Sequence, residues 1–170
     1  QITQARTPIG YDGYVEIEIN GTKKKIEIEE MHIEEDTCKS THRSNKTLLD
    51  FNRAGVPLIE IVTKPCISSG EEAKAYLEKL RELLFYSDIS DCKIEEGSMR
   101  ADANVSIRKN ESDPFGTKTE IKNIGSITNV GISIEKEIER QSEMLDNGQT
   151  FKVETRRYDE LKKETVLMRK

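Results

Sequence analysis

An Asn20-Gly21 dipeptide separates two runs in which apolar and polar residues alternate. The run before it places Val15, Ile17 and Ile19 on one face, which is the period-2 pattern of a half-buried β-strand. Asn-Gly readily adopts the positive φ angles that a two-residue hairpin turn requires. The two runs are therefore predicted to pair as antiparallel strands.

The second of these runs changes its alternation partway along. Its apolar positions are even-numbered up to Ile28 and odd-numbered from Met31 onward. A change of parity inside one strand indicates a β-bulge. We therefore expect Glu35 to share the face of Met31, and His32 and Glu34 to lie on the opposite face.

Two long helices are predicted farther along the chain. Ser69 and Glu72 form a capping box that begins the first, and apolar residues at helical spacing continue it. The second is predicted from about Ser126 to the Asn147-Gly148 pair, which ends it. Its predicted inward residues are Ile127, Val130, Ile134, Ile138 and Leu145.

Short strands fill most of the rest. They are predicted at 48–51, 58–63, 99–108, 117–122, 153–157 and 165–168, with a loop at 37–47. Strands joined by short turns, together with two helices, predict an α+β fold around a largely antiparallel sheet. A chain of 170 residues can bury one core, so residues 1–170 are predicted to form a single domain.

Composition narrows the possible partners. The net charge is −5, so RNA could be bound only by local basic clusters. The alternative is that both of the chain's basic clusters are solvated turns and edges. No run is long enough to span a bilayer, and three cysteines without metal-ligand spacing suit a reducing, cytoplasmic setting. The clusters are Lys23-Lys24-Lys25 and a C-terminal set of Arg156, Arg157, Lys162, Lys163, Arg169 and Lys170.

A single charge interrupts the most apolar strand. Glu60 lies inside the run VPLIEIV at 56–62, where a strand would nearly bury its carboxylate. An isolated buried carboxylate costs several kcal/mol. Glu60 is therefore predicted to be neutral, paired with a cation or bound to a metal, unless it lies on an edge strand and avoids the cost.

Other carboxylates stand at comparable positions on the predicted strands. Oxygen ligands gathered on one sheet surface suit Mg²⁺, and the scarcity of histidine disfavours zinc. The alternative is that they are ordinary solvent-facing acids. These residues are Glu35, Glu95, Glu96, Asp102 and Glu120. The cations predicted to bind nucleotide phosphates are Arg100, Arg108, Lys118 and Lys122. The chain has no P-loop and no G-x-G-x-x-G motif, so an ATP site would be of another kind.

Five blocks of the chain resemble, in order, the family of B subunits of the aspartyl/glutamyl-tRNA amidotransferases, whose archaeal E-type relatives share the same core. The blocks are HIEED at 32–36, DFNRAGVPLIEIV at 50–62, EEGSMRADANVS at 95–106, FGTKTEIKN at 115–123 and ETRRYDE at 154–160. They cover nearly the whole chain.

This resemblance implies a two-step reaction. ATP phosphorylates the side-chain carboxylate of glutamate on the glutamine tRNA, or of aspartate on the asparagine tRNA, and ammonia then replaces the phosphate. In a heterotrimer, the A subunit supplies the ammonia and the C subunit braces the pair. The implied core resembles the glutamine synthetase/guanido kinase fold, in which strand carboxylates hold Mg²⁺ around ATP.

The resemblance also implies roles for particular residues. Glu35 and Glu60 match the family's catalytic, metal-binding glutamates, and Asp102 matches another metal-site acid. Glu95 and Glu96 are further candidates. We expect Glu35, Glu60 and Asp102 to share one site on neighbouring strands of one sheet. The remaining block residues, Lys118, Glu120 and Lys122, either line an ammonia channel or contact phosphates.

The chain also departs from the family pattern. The family's first segment, with a Glu-x-His metal motif, and its C-terminal helical tail are missing, and Thr37-Cys38 stands where Ala-Gly is usual. A chain that begins at Gln1 is expected to be a fragment, inactive by itself. Two other interpretations stay open: a non-catalytic module that docks tRNA or other proteins of the complex, and a carboxylate kinase acting on a small molecule.

Overall fold

The computed structural model describes residues 6–169, apart from the side chain of Arg169. Its strands are β1 (Gly10–Ile19), β2 (Thr22–Glu35), β3 (Lys39–Arg43), β4 (Lys46–Asp50), β5 (Pro57–Thr63), β6 (Ala103–Val105), β7 (Thr119–Lys122), β8 (Glu154–Asp159) and β9 (Glu164–Arg169). Its helices are α1 (Gly70–Tyr86) and α2 (Ile127–Asp146). All but one of the strand pairings with a described register are antiparallel. The predicted α+β class is confirmed.

These elements form two compact units. The first comprises residues 6–16 and 24–66, and the second comprises 17–23 and 67–169. The first buries Val15, Ile26 and Ile28, whereas most of the other buried apolar residues belong to the second. That the two units act as one domain stays a prediction.

The first sheet has the strand order β1-β2-β5. Asn20 and Gly21 have φ angles of 50° and 77°, so the predicted tight turn between β1 and β2 is confirmed. The register of β2 against β5 shifts between Ile28 and Glu30, which confirms the predicted bulge. Beyond it His32 pairs with Glu60. The bulge therefore decides which side chains of β2 share a face with those of β5.

A second hairpin occupies a stretch whose sequence predicts a loop followed by a short strand. Residues 39–50 form β3 and β4, with Lys39 opposite Asp50 and Arg43 opposite Lys46, so the loop prediction for 37–47 is wrong. All ten strand residues are exposed. The strand predicted at 48–51 overlaps the end of β4, but hydrophobic periodicity misses β3 and the start of β4 because neither face of the hairpin is buried.

The base of this hairpin is closed where it leaves β2 and returns to β5. The Asp36 amide donates to the Val56 carbonyl at 2.8 Å, and the Gly55 amide donates to the Asp36 carbonyl at 2.9 Å. Arg53 Nε also lies 3.1 Å from Asp36 Oδ2. These contacts hold the ends of the hairpin together.

The second unit contains a four-stranded sheet of order β6-β7-β8-β9. Strands β7 and β8 are parallel, with Ile121 opposite Arg156, and α2 is the crossover that parallel neighbours require. The strand predicted at 99–108 is shortened to Ala103–Val105. Its apolar alternation continues outside the sheet, so the predicted length is wrong.

Side chains cap the starts of both helices, and the cap predicted at Ser69 is confirmed. The Ser69 hydroxyl accepts from the Glu72 amide and the Ser126 hydroxyl accepts from the Asn129 amide, both at 3.1 Å. Asn147 ends α2, and Gly148 follows with a φ of 70°. Neither of these helices combines the length and apolar character needed to cross a membrane.

The buried face of α2 is more polar than predicted. Val130 is buried as expected, but Ser133, Glu137 and Gln141 continue the buried stripe, and predicted Leu145 is 45% exposed. Glu137 receives a hydrogen bond from Arg140 and from Thr165 of β9, at 2.6 and 2.9 Å. Buried polar groups are stable when they are paired in this way, and apolar periodicity cannot reveal them.

Two glycines let α1 and α2 approach closely. A β-carbon on Gly131 would lie 2.8 Å from the Gly70 carbonyl oxygen, and one on Gly70 would clash with the Gly131 carbonyl. The Gly70 amide also donates to Glu135 Oε1 at 2.6 Å. Backbone contact at this crossing leaves no room for a larger residue.

Gly131→Ala is expected to destabilise the protein by about 1–3 kcal/mol, because overpacking outweighs the better helix propensity of alanine. The free energy of unfolding from urea titrations measures this change. Glu143→Ala at an exposed position of α2 is the matched control and should change stability little. A stabilised Gly131→Ala protein would show that the crossing has space for a methyl group.

Candidate cation site and the predicted carboxylates

One face of the first sheet gathers a histidine and two glutamates. His32 and Glu60 face each other across β2 and β5, and Glu34 follows two residues after His32 on the same face. The Nε2 atom of His32 lies 3.2 Å from Glu34 Oε1 and 3.1 Å from Glu60 Oε2. His32 is buried, whereas the Glu34 and Glu60 side chains are 21% and 50% exposed. The cluster is therefore open to solvent on its glutamate side.

The pKa values of the three groups are shifted in different directions. Burial by itself lowers the pKa of His32, but the hydrogen bond to Glu34 and the negative charge of Glu60 outweigh it, so this pKa is raised. The hydrogen bond between the two carboxyl groups lowers the pKa of Glu34 and raises the pKa of Glu60. The hydrogen bond between the carboxyl groups and the adjacent imidazole therefore offset part of the repulsion between Glu34 and Glu60.

A bound cation could also offset the repulsion between these carboxylates. One ligand atom from each of His32, Glu34 and Glu60 lies within 4.8 Å of the others. Two carboxylates fit Mg²⁺ when phosphate or water oxygens complete the shell, and an imidazole nitrogen extends the fit to Mn²⁺. The chemistry of the donors thus fits a divalent cation.

Glu60 is less buried than the sequence suggests. Strand β5 lies at the edge of the three-stranded sheet, and the Glu60 side chain is half exposed. The expectation of a nearly buried carboxylate is therefore wrong, and the edge-strand alternative describes its position. Glu60 is nevertheless paired, since His32 lies opposite it.

Glu35 has a different position from Glu60. It pairs with Pro57 at the end of β2, and strand alternation places it on the face opposite His32 and Glu60. This agrees with the face predicted from the bulge. Its assignment to the metal site stays a prediction.

Asp102 belongs to the second unit. It directly precedes β6, so Asp102 and Glu60 do not lie on neighbouring strands of one sheet. Asp102 Oδ2 and Glu120 Oε1 lie 3.0 and 3.3 Å from Lys122 Nζ. The pKa of Lys122 is raised, and the hydrogen bond to Asp102 is the largest cause. Partial burial lowers this pKa, but the charge of Asp102 and the contact with Glu120 add to the increase. Asp102 and Glu120 are already neutralised in part by Lys122.

Glu95 and Glu96 are exposed and also belong to the second unit. Glu96 Oε1 accepts from Lys93 Nζ at 3.0 Å. Glu95 borders a cavity of about 190 Å³ beside α1 and the start of α2. Neither is part of the cluster around His32, and their role in metal binding stays a prediction.

The predicted phosphate-binding cations differ in their surroundings. Arg100 and Lys118 are exposed, whereas the Arg108 guanidinium stacks 4.4 Å from the Phe115 ring centroid. Of the C-terminal basic cluster, Arg156 is largely buried and its Nη1 lies 2.8 Å from Glu154 Oε1. It is therefore a structural cation. Lys170 and the Arg169 side chain lie outside the described part of the chain.

Sequence reasoning does not select His32 and Glu34 as ligands. It does predict their common face, and an H-x-E pattern on a strand places two ligands side by side. The missing information is the register that sets Glu60 opposite His32. That register is known only from the pairing of β2 with β5, which brings together residues 28 positions apart in the sequence.

These features define a class: an α+β chain whose first sheet carries an open histidine–glutamate cluster. The chain belongs to the family described as the GatB/GatE catalytic domain, whose model matches residues 1–170.

Individual relatives agree with the family match. The chain is 57% identical over 169 residues to the B subunit of the aspartyl/glutamyl-tRNA(Asn/Gln) amidotransferase of Limosilactobacillus reuteri (strain DSM 20016). It is 54% identical over 170 residues to the proteins of the same name from Geobacillus kaustophilus and Mycoplasma capricolum. Each alignment covers 99% of this chain and 36% of the relative. The chain thus spans little more than a third of the length of these relatives.

Proposed function

We propose that this chain belongs to the active region of a cytoplasmic amidotransferase that converts glutamate on the glutamine tRNA, aspartate on the asparagine tRNA, or both, into the amide. The cluster of His32, Glu34 and Glu60 carries the proposal, together with membership of the catalytic-domain family across residues 1–170. The cofactors are ATP and Mg²⁺. The relatives' names supply the substrate class.

The acidic cluster suits phosphorylation of a carboxylate. A bound divalent cation would neutralise charge on the phosphates of ATP and lower the barrier to their transfer. Glu34 and Glu60 would hold the cation, and His32 would position both carboxylates or bind as a third ligand. Their exposed side leaves room for phosphate oxygens.

The remaining predicted residues complete the proposal. Arg100, Arg108 and Lys118 are exposed and could bind nucleotide phosphates, and Lys122 could do so only by exchanging its contact with Asp102. A core like that of glutamine synthetase and guanido kinases would bring strand carboxylates of this kind around ATP. The A and C subunits of the amidotransferase would supply ammonia and brace the complex, so the isolated chain is expected to be inactive.

Titration calorimetry with Mg²⁺ and with Mn²⁺ tests the cation site. Wild-type protein should bind one cation at the cluster, and Glu60→Gln should weaken binding by about tenfold or more, because a charged ligand is lost. Glu34→Gln should behave in the same way.

Two further variants sharpen the test. Glu18→Gln, at an exposed position of β1, is the matched control and should bind normally. Glu35→Gln separates the two candidate ligand sets, and the geometry predicts a smaller loss than for Glu60→Gln. Equal cation binding by wild type and by both cluster variants would favour a docking module without a metal site.

A further inference from the structure

The β3–β4 hairpin is an exposed basic arm. In sequence it lies between β2 and β5, the two strands that carry the cation site. It leaves the chain just after β2 and returns just before β5. Its ten strand residues are all exposed, and its strands form a separate two-stranded sheet. Isolated two-stranded hairpins are only marginally stable in water. A segment of this kind is well suited to becoming ordered against a partner.

The charges of the arm are concentrated on one face. Strand alternation and register place Lys39, Arg43, Lys46 and Asp50 on the same side. This face therefore carries three cations and one anion in a chain whose net charge is −5. The local charge is opposite in sign to that of the protein as a whole.

The tip of the arm places two cations directly opposite each other. Arg43 and Lys46 are cross-strand partners, and like charges in this position destabilise a hairpin. Among residues 6–169, no carboxylate lies within ion-pair distance of either one. Folding by itself therefore does not account for this pair, whereas an anionic ligand would relieve its repulsion.

We propose that the β3–β4 hairpin binds the phosphate backbone of the substrate tRNA and places its aminoacyl end near the cation site. This inference rests on the proposed function, because that function supplies the tRNA. Arg43 and Lys46 contact the phosphates, and Lys39 extends the contact toward the base of the arm. The strand rise sets Lys39 and Arg43 about 13 Å apart, so the arm spans several phosphates.

The composition of the face favours RNA over an acidic protein surface. Lysine, arginine, serine and threonine are the side chains that commonly contact phosphates, and Thr41 lies between Lys39 and Arg43 on this face. Stable protein interfaces usually centre on buried aromatic anchors. The charged face offers only Leu48 as an apolar side chain.

Fluorescence anisotropy with labelled glutamine and asparagine tRNA transcripts tests the proposal in the complete protein assembled with its partner subunits. Arg43→Glu combined with Lys46→Glu should weaken tRNA binding by about tenfold or more. The slope of log Kd against log salt concentration should fall by about 2, since two phosphate contacts are lost. Lys109→Glu combined with Lys152→Glu changes two exposed lysines elsewhere by the same total charge and should leave both values unchanged.

Each outcome has a distinct meaning. Wild-type affinity and salt slope in the hairpin variant would overturn the proposal, and loss of complex assembly alone would assign the arm to an acidic protein partner. If the glutamate substitutions prevent folding, Arg43→Gln combined with Lys46→Gln is used instead. This variant should also weaken tRNA binding, but by a smaller factor. A wild-type complex that binds tRNA through the arm but forms no amide would refute the proposed function. The inference that the arm binds tRNA would still stand. A wild-type complex that does not bind tRNA would refute both.

Discussion

Under the proposed function, Glu60→Gln in the complete protein is expected to lower the rate of tRNA-dependent amide formation by about 10²–10³-fold or more. Glutamine keeps the shape of the side chain but loses the charge that would hold the divalent cation beside Glu34. His32 would also lose the carboxylate that lies 3.1 Å from its Nε2 atom. The assay follows conversion of glutamyl-tRNA to glutaminyl-tRNA with Mg-ATP and glutamine.

A second readout separates chemistry from misfolding in this experiment. Hydrolysis of glutamine by the proposed ammonia-supplying subunit should continue at a similar rate, because the proposal gives Glu60 no part in that step. Glu18→Gln should retain both activities. Near-normal amide formation by the Glu60→Gln protein would assign Glu60 a structural role.

Glu137→Gln is expected to destabilise the protein by about 3 kcal/mol, within the range for breaking a buried ion pair. Glu137 is fully buried, and its carboxylate lies 2.6 Å from Arg140 Nη2 and 3.7 Å from Arg156 Nε. Glu154 remains near both arginines at 2.9 and 2.8 Å, which keeps the loss at the low end of that range. Urea unfolding measures it.

The matched control is Glu139→Gln on the same helix. Glu139 accepts from Lys136 at 2.8 Å, but both side chains are exposed, so its loss should cost less than about 1 kcal/mol. Equal effects of the two substitutions would contradict the view that burial gives the Glu137 network its importance.

The contribution of Glu137 should depend on pH with a defined sign. Burial alone would raise its pKa, but hydrogen bonds from Arg140 and Gln141 outweigh burial, so the pKa lies below the ordinary value of 4.5. A lowered folded-state pKa stabilises the protein above the unfolded-state pKa, and this stabilisation disappears as the pH falls through the folded-state value. The difference between wild type and Glu137→Gln should therefore be constant near neutral pH and shrink in acid.

Local signals predict the elements whose residues obey a simple period or a capping rule. The Asn20-Gly21 turn, the bulge in β2 and the helix starts at Ser69 and Ser126 all follow from side chains next to one another in sequence. The turn and the helix starts depend on backbone geometry and hydrogen bonds within a few residues, and a local change of alternation marks the bulge, so no distant contact is needed to predict them.

The unpredicted features depend on contacts between distant residues. His32 and Glu60 are neighbours only because β2 and β5 pair in one register. The polar stripe of α2 is stable because Thr165 and Arg156, far along the chain, satisfy Glu137. The β3–β4 hairpin has no buried face and so no apolar period. The pattern of apolar residues indicates which positions are buried. It does not indicate strand register or the pairing of charges, which determine these features.

The closed base of the β3–β4 hairpin makes the arm modular. Asp36, Gly55 and Val56 join the two ends through backbone hydrogen bonds that involve no residue of β3 or β4. We therefore expect an insertion or deletion in the arm to change its reach without moving His32 relative to Glu60. Surface loops tolerate such changes of length at small entropic cost. Descendants of one ancestral gene could therefore diverge in how they bind a partner while keeping the geometry of the cluster constant.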